Sequence, residues 1–282
     1  MAILFGLGVA LAYGAADFFG GRSSKRSAAG ATVVVSQVFG LAFGLVIVLM
    51  FTGSSPGGRD VGLSALAGVL GLTGLGLLYR ALASGQMAAV APISAVLGAL
   101  VPFAWGLAHG ERPSLAALVG AMLAIGAVAV IARPNDAVGD DRATSIRGAA
   151  VAIALGAGAL LGSAFVCFAE TSESSSFWPV VISRIVGVSL MATVLAVGRR
   201  PLRPHPEDLR WVALTGLLDV AANVLQLLAV RRGLVTLVAP IAALYPAATV
   251  LLARGLLGEP VGRSRLIGLG IALSGLVLIA IR

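Results

Sequence analysis

The sequence predicts an all-α integral membrane protein, with ten transmembrane helices arranged as two inverted repeats of five. Three observations carry that expectation: a charge-poor apolar composition, ten apolar stretches of membrane-spanning length, and an internal repeat relating the two halves. Of the 282 residues, 59% are hydrophobic and 11% charged, and the mean hydropathy is +1.01. A soluble domain carries about 25% charged residues, interleaved along every solvent-facing helix side. Here the charges lie mostly between long apolar runs, which argues against a soluble fold. The net charge of +8 comes from 20 Lys and Arg against 12 Asp and Glu. Concentrated in short connections, these basic residues read as membrane-topology charge and not as a nucleic-acid surface. The single cysteine, Cys167, excludes an intrachain disulfide and a cysteine metal cluster, and its apolar surroundings suit a small buried side chain.

A helix needs about 20 mainly apolar residues to cross the hydrocarbon layer, where every backbone amide and carbonyl must be paired internally. The windows that qualify are residues 2–19, 31–52, 62–82, 87–108, 114–132, 148–168, 177–197, 209–229, 234–254 and 264–281. The first has no basic segment before its apolar run and no small-residue cleavage site, so a retained helix is expected rather than a signal peptide. The second leads into Phe51–Arg59, punctuated by Gly-Ser-Ser-Pro-Gly-Gly. The fourth is followed by HGERPS at 109–114. The fifth leads into Arg133–Arg147, the least apolar connection, which divides the chain into a first repeat at 1–135 and a second at 136–282. Small residues also recur where helices would meet: Gly6-xxx-Ala10-xxx-Gly14, Gly40-xxx-Gly44 and Gly158-xxx-Gly162 permit close backbone approach.

The repeat supports the boundary independently. Gly85–Glu111 overlays Gly233–Glu259 without a gap at an offset of 148, placing Val90-Ala91-Pro92-Ile93 on Val238-Ala239-Pro240-Ile241. Gly110-Glu111 falls on Gly258-Glu259, and VVSQVFG at 34–40 matches VISRIVG at 181–187. Five helices per half reverse the membrane orientation of the second copy, an arrangement suited to alternating access around a central site. Pro92 and Pro240 sit just inside equivalent helices. Each is a static bend or first-turn proline, or else a hinge that exposes backbone toward a cavity. If the termini share one side, its connections hold five basic residues and the other side fourteen, Arg184 completing the twenty. The positive-inside rule then places both termini outside.

Ionisable groups inside hydrocarbon face a partner or a wet cavity. Arg184, about a third of the way into the seventh window, and Asp219, near the middle of the eighth, lie on helices running in opposite directions. A long arginine side chain can bridge their difference in depth. Asp219, Asn223 and Gln226 follow i, i+4, i+7 spacing and share a face, which lines a substrate cavity or joins two helices in a buried network. Gln37 aligns with Arg184 and Gly71 with Asp219, so the cavity is expected to be chemically asymmetric. Asp17, on one i, i+4 face with Tyr13, is a candidate proton or cation site, although its closeness to the interface favours a helix-end or ion-pair role. Tyr79 and Tyr245 are deeper candidates for ligand contact. Trp105, Trp178 and Trp211 read as interfacial anchors. Glu111 and Glu259, each after a helix-ending Gly, suit loop capping or conformational control rather than acid-base chemistry. His109 and His205 both fall in connections, so no metal site is expected, and no glycine-rich loop suits a nucleotide. Neither an enzyme nor an ATP-driven pump is expected, and no cofactor is implied.

The repeated GxxxxxVAPIxA pattern, YPAATVLLA at 245–253, LLGEP at 256–260, the Gly-rich final helix and YGAADFFGG at 13–21 together resemble the drug/metabolite transporter superfamily, particularly its EamA-type ten-helix members. The resemblance covers nearly the whole chain. It implies two five-helix repeats around a central cavity and secondary transport of metabolites or drugs, with efflux favoured. Its familiar orientation has cytoplasmic termini, opposite to the charge count. The expectation is therefore a multi-pass protein of the cytoplasmic membrane that moves a small polar or amphipathic metabolite, with proton coupling through Asp17 or Asp219. A passive channel or a lipid-translocating protein is the alternative. The partners implied are a small metabolite or drug-like substrate, membrane lipids and protons.

Overall fold

The computed structural model describes residues 1–24, 26–51, 55–82, 87–131, 148–257 and 263–280. Described residues form eleven α-helices and no strand: α1 (Ala2–Ser23), α2 (Ala29–Met50), α3 (Gly58–Leu82), α4 (Met87–Ala108), α5 (Leu115–Ile131), α6 (Gly148–Ala169), α7 (Trp178–Val197), α8 (Leu209–Val230), α9 (Val235–Ala242), α10 (Tyr245–Leu257) and α11 (Arg263–Ala280). Helices α1, α2, α3, α6, α7 and α8 are each long and apolar enough to cross a membrane, and shorter apolar stretches lie in α4, α5, α9–α10 and α11. Such helices satisfy their own backbone groups, which is why apolar stretches of this length adopt them in lipid.

The ninth apolar window departs from the expected single helix at 234–254. It forms α9 and α10, separated by Ala243 and Leu244. Prolines explain the break. Pro246 has no N–H to offer the carbonyl of Ala242 and its ring crowds that carbonyl, while Pro240 withholds the same bond from Thr236. The turn is closed instead by Ala243 N–H to Ala239 O at 3.0 Å and Leu244 N–H to Ile241 O at 3.1 Å. Helix α4 carries the aligned Pro92 and runs on unbroken. The position aligned with Pro246 is Gly98, which keeps its amide, so the second proline of the pair decides where the chain breaks.

Helix packing follows the small residues. Helix α1 packs on α8, α9 and α10, and α6 packs on α3 and α4. Helix α2 packs on α7 and α8, α3 also on α7, and α5 on α11. A Cβ at Gly14 would lie 2.6 Å from the Tyr245 carbonyl oxygen, and one at Gly162 would lie 2.9 Å from the Gly98 carbonyl oxygen. At Gly68 it would overlap the Ser183 carbonyl of α7, and at Gly216 the Ser36 carbonyl of α2. Small residues here bring backbones together where bulkier ones would hold the helices apart, since leaving lipid gives apolar side chains little gain by itself. Apolar clusters fill the remaining space, one around Ala124, Val128 and Leu244, another around Phe168, Val180, Val220 and Leu227.

Polar groups close both ends of the bundle. At one end Asp60 accepts the Ser172 amide at 3.1 Å and the Ser172 hydroxyl, Glu170 accepts Arg59 and Trp105 Nε1, each at 3.1 Å, and Arg231 donates to the Ser172 and Ser176 carbonyls at 3.0 and 2.8 Å. Burial pulls the Arg231 guanidinium below its ordinary pKa, against the opposing effect of Glu173 and Asp60. Glu111 accepts the Val235 and Thr236 amides at 2.7 and 2.8 Å and so caps α9, a helix of the other half, where loop capping or conformational control is expected. Glu259 lies outside the described residues. At the other end the Ser27 hydroxyl donates to Asp208 at 2.8 Å, and Arg26 pairs with Glu207 at 3.2 Å.

Candidate functional site

Between these ends lies a cavity of about 230 Å³, lined by α1, α2, α3, α4, α6, α7, α8, α9 and α10. Its polar groups come from few places. Helix α1 contributes Tyr13 and Asp17, α2 Gln37, α7 Arg184, α8 Asp219, Asn223 and Gln226, and α10 Tyr245. The two carboxylates and three amides sit in helices whose remaining length is apolar, so each needs water, a partner or a ligand.

Arg184 is buried and meets that need from two helices. Its guanidinium donates to the Gln37 side-chain oxygen and forms an ion pair with Asp219. Gln37 Nε2 donates to the same Asp219 carboxylate at 3.2 Å, closing a triangle across α2, α7 and α8. This is the Arg184–Asp219 pairing that helix direction and depth predict, with the aligned residue Gln37 drawn into it. Asn223 Nδ2 donates to the Asp219 backbone carbonyl at 2.7 Å, and Tyr13 donates to Gln226 Oε1 at 3.2 Å. Asp219, Asn223 and Gln226 of this i, i+4, i+7 face line the cavity, and Asp219 and Gln226 also join α8 to α1, α2 and α7.

Asp17 differs from the helix-end or ion-pair role that its place near the interface favours. Its carboxylate is accessible from the cavity and, among the described residues, has no hydrogen bond or ion pair. Tyr245 opens α10 directly after the break, which turns its side chain into the cavity. Pro240 is buried two residues before the end of α9. The side chains of Tyr79 and Pro92 lie outside the described residues. Of the three tryptophans, Trp105 donates to Glu170, and Trp211 stacks on Phe19 with Arg22 and Arg210 against its ring.

Sequence reasoning missed the other side of the cavity. Leu72, Leu75 and Leu78 of α3 and Leu161, Phe165 and Phe168 of α6 line it with hydrocarbon. The repeat offset of 148 contains the signal that finds them: it carries Tyr13, Asp17, Asn223 and Gln226 onto Leu161, Phe165, Leu75 and Leu78. The α1–α8 pair thus presents polar groups, and the aligned α6–α3 pair presents apolar ones. Also missed were Asp60 and Asp208, which occupy aligned positions and bind the connection of the other half through Ser172 and Ser27.

An EamA-like transporter family model matches residues 1–133 and again 148–281. The chain belongs to the EamA-like transporter family. Its members are membrane transporters that handle small substrates. Among curated proteins none matches the chain. A solved structure titled "Crystal structure of protein" is similar to this EamA-like chain over 99% of its length and 98% of that structure's, with a TM-score of 0.79 and 17% identity. At that identity the likeness shows the fold alone.

Proposed function

We propose that this EamA-like protein is a secondary active transporter that exports a small polar or amphipathic metabolite in exchange for protons. One observation carries the reading: a single cavity is polar where α1 and α8 line it and apolar where α3 and α6 do. That division suits a solute with a polar and an apolar part, because each part leaves water for matching surroundings. Arg184, Asp219 and Gln37 hold the polar side in place, Asn223, Gln226 and Tyr245 orient polar substrate groups, and Asp17 or Asp219 carries the coupling proton. No catalytic residue or cofactor belongs to this reading.

Two inverted repeats, 1–135 and 136–282, give the cavity its alternating access. The packing supports this, because exchanging the halves turns the α1–α8 contact into α6–α3 and the α2–α8 contact into α7–α3. The α9–α10 break beyond Pro240 and the aligned Pro92 are the hinges. The protein resides in the cytoplasmic membrane with both termini outside, as the basic connections indicate. Impermeant labelling of single cysteines beside Arg26 and Arg200, in a Cys167-substituted functional background, should find both protected in intact cells. Strong external labelling of both would reverse the orientation.

Reconstitution in sealed vesicles, with a metabolite panel and imposed pH gradients, tests the function. Saturable gradient-driven flux and counterflow are expected. Absence of flux from correctly folded protein rejects the carrier, and gradient-independent ion conductance replaces it with a channel.

A further inference from the structure

The cavity has an unbalanced charge. Its charged side chains among the described residues are Asp17, Arg184 and Asp219. Arg184 is committed to Asp219 and Gln37, and that pair is electrically neutral. Asp17 remains, open to the cavity and without a hydrogen bond or counter-ion among the described residues. Among the described residues the charged group within its electrostatic reach is Asp219, a like charge. The tyrosines Tyr13 and Tyr245 also face it. Ionised, the site carries one net negative charge, and the rings of Phe165 and Phe168 line the same cavity from α6.

An anionic solute would meet Asp17 repulsively and would have to displace Asp219 from Arg184. A neutral solute would strip water from Asp17 without replacing its charge. A hard divalent cation such as calcium or magnesium wants six or more oxygen ligands, the α3 and α6 surfaces offer hydrocarbon, and the described residues hold no cluster of His, Cys, Asp or Glu for another metal. A cation with an apolar body meets none of these costs: its head neutralises Asp17, and its body meets the hydrocarbon of α3 and α6.

We propose that the cavity selects a monovalent organic cation, a protonated amine or quaternary ammonium, whose head lies at Asp17 and whose apolar body lies against α3 and α6. The inference rests on the transport reading for its physiological meaning, but the charge selection is a property of binding alone.

Equilibrium dialysis of the purified full chain in detergent tests it with three probes of similar size: benzyltrimethylammonium, benzyl alcohol and phenylacetate. The cation should bind saturably and at least about tenfold more tightly than either other probe. Asp17→Asn should weaken the cation about tenfold or more without weakening benzyl alcohol, and Asp17→Glu should retain cation binding. Phenylacetate binding as tightly as the cation, absent saturable cation binding, or cation affinity unmoved by Asp17→Asn would each overturn the proposal. The ranking of probes on the unsubstituted protein decides the matter even if Asp17→Asn fails to fold. Flux measured in vesicles separates the two readings. Charge-selective binding without gradient-driven flux removes the transporter and keeps the cation site, whereas flux of anionic solutes independent of Asp17 does the reverse.

Discussion

The two halves of the chain agree where helices touch and disagree where they face the cavity. Gly68 of α3 and Gly216 of α8 are aligned, and each lies against the carbonyl of an aligned serine, Ser183 or Ser36. Those serines each donate to the carbonyl three residues earlier, Val180 or Val33, at 2.9 Å. Asp60 and Asp208, also aligned, each hold the other half's connection. In the cavity the aligned pairs part company: Gln37 against Arg184, Gly71 against Asp219, Leu75 against Asn223, Leu161 against Tyr13 and Phe165 against Asp17. Shared contacts keep one architecture on both sides, and unlike side chains give its centre a polar side and an apolar one. In this molecule scaffold and chemistry occupy separate positions on the same helices.

The comparison breaks first at Arg184. Arg184→Gln copies Gln37 into the second half and leaves Asp219 without its counter-charge; removing one member of a buried pair costs about 3–5 kcal/mol. Thermal unfolding in detergent should record that loss together with abolished transport, and Arg184→Gln combined with Asp219→Asn should recover most of the stability. A loss under about 1 kcal/mol for the single variant would mean that water already screens the pair.

Substitutions at the shared contacts should have matched effects. Gly68→Ala and Gly216→Ala each force a methyl group against a facing carbonyl and should destabilise by about 1–3 kcal/mol, to similar extents. Gly71→Ala is the control. Its nearest neighbour would be the Ala164 methyl at 3.7 Å, so stability should be unchanged or slightly raised, by up to about 1 kcal/mol. Unequal costs at Gly68 and Gly216 would show that the two contacts are not equivalent.

On the polar side, Tyr13→Phe removes one hydrogen bond to Gln226 and should cost about 1 kcal/mol, read as a several-fold loss of substrate affinity with the apolar packing retained. Leu161→Tyr, the reciprocal change on α6, should not restore it. The smallest effect belongs to the helix break. Pro246→Ala returns an amide to the Ala242 carbonyl and should slow hydrogen exchange across residues 243–247 several-fold, with stability altered by less than about 1 kcal/mol. Unchanged exchange there would assign the break to packing rather than to the missing amide.

Membrane class and helix positions were legible in the sequence because hydrocarbon makes the same demand of every spanning segment: about 20 apolar residues with their backbone paired internally. Arg184 and Asp219 were legible for the same reason, since charge at that depth requires a partner and helix direction limits the choice. The place of Glu111 after a helix-ending glycine suggested loop capping or conformational control, and the packing decided that it caps α9 of the other half. The tertiary structure alone decided which helices meet. It turned Asp17 from a helix end into a cavity carboxylate without a partner among the described residues, set Gln37 between Arg184 and Asp219, and brought Leu75, Leu78 and Phe165 to the same cavity. Sequence spacing fixes which residues share a helix face, but contacts between helices depend on close approach at a few glycines, and whether a face meets lipid, protein or a cavity is settled only when the helices pack.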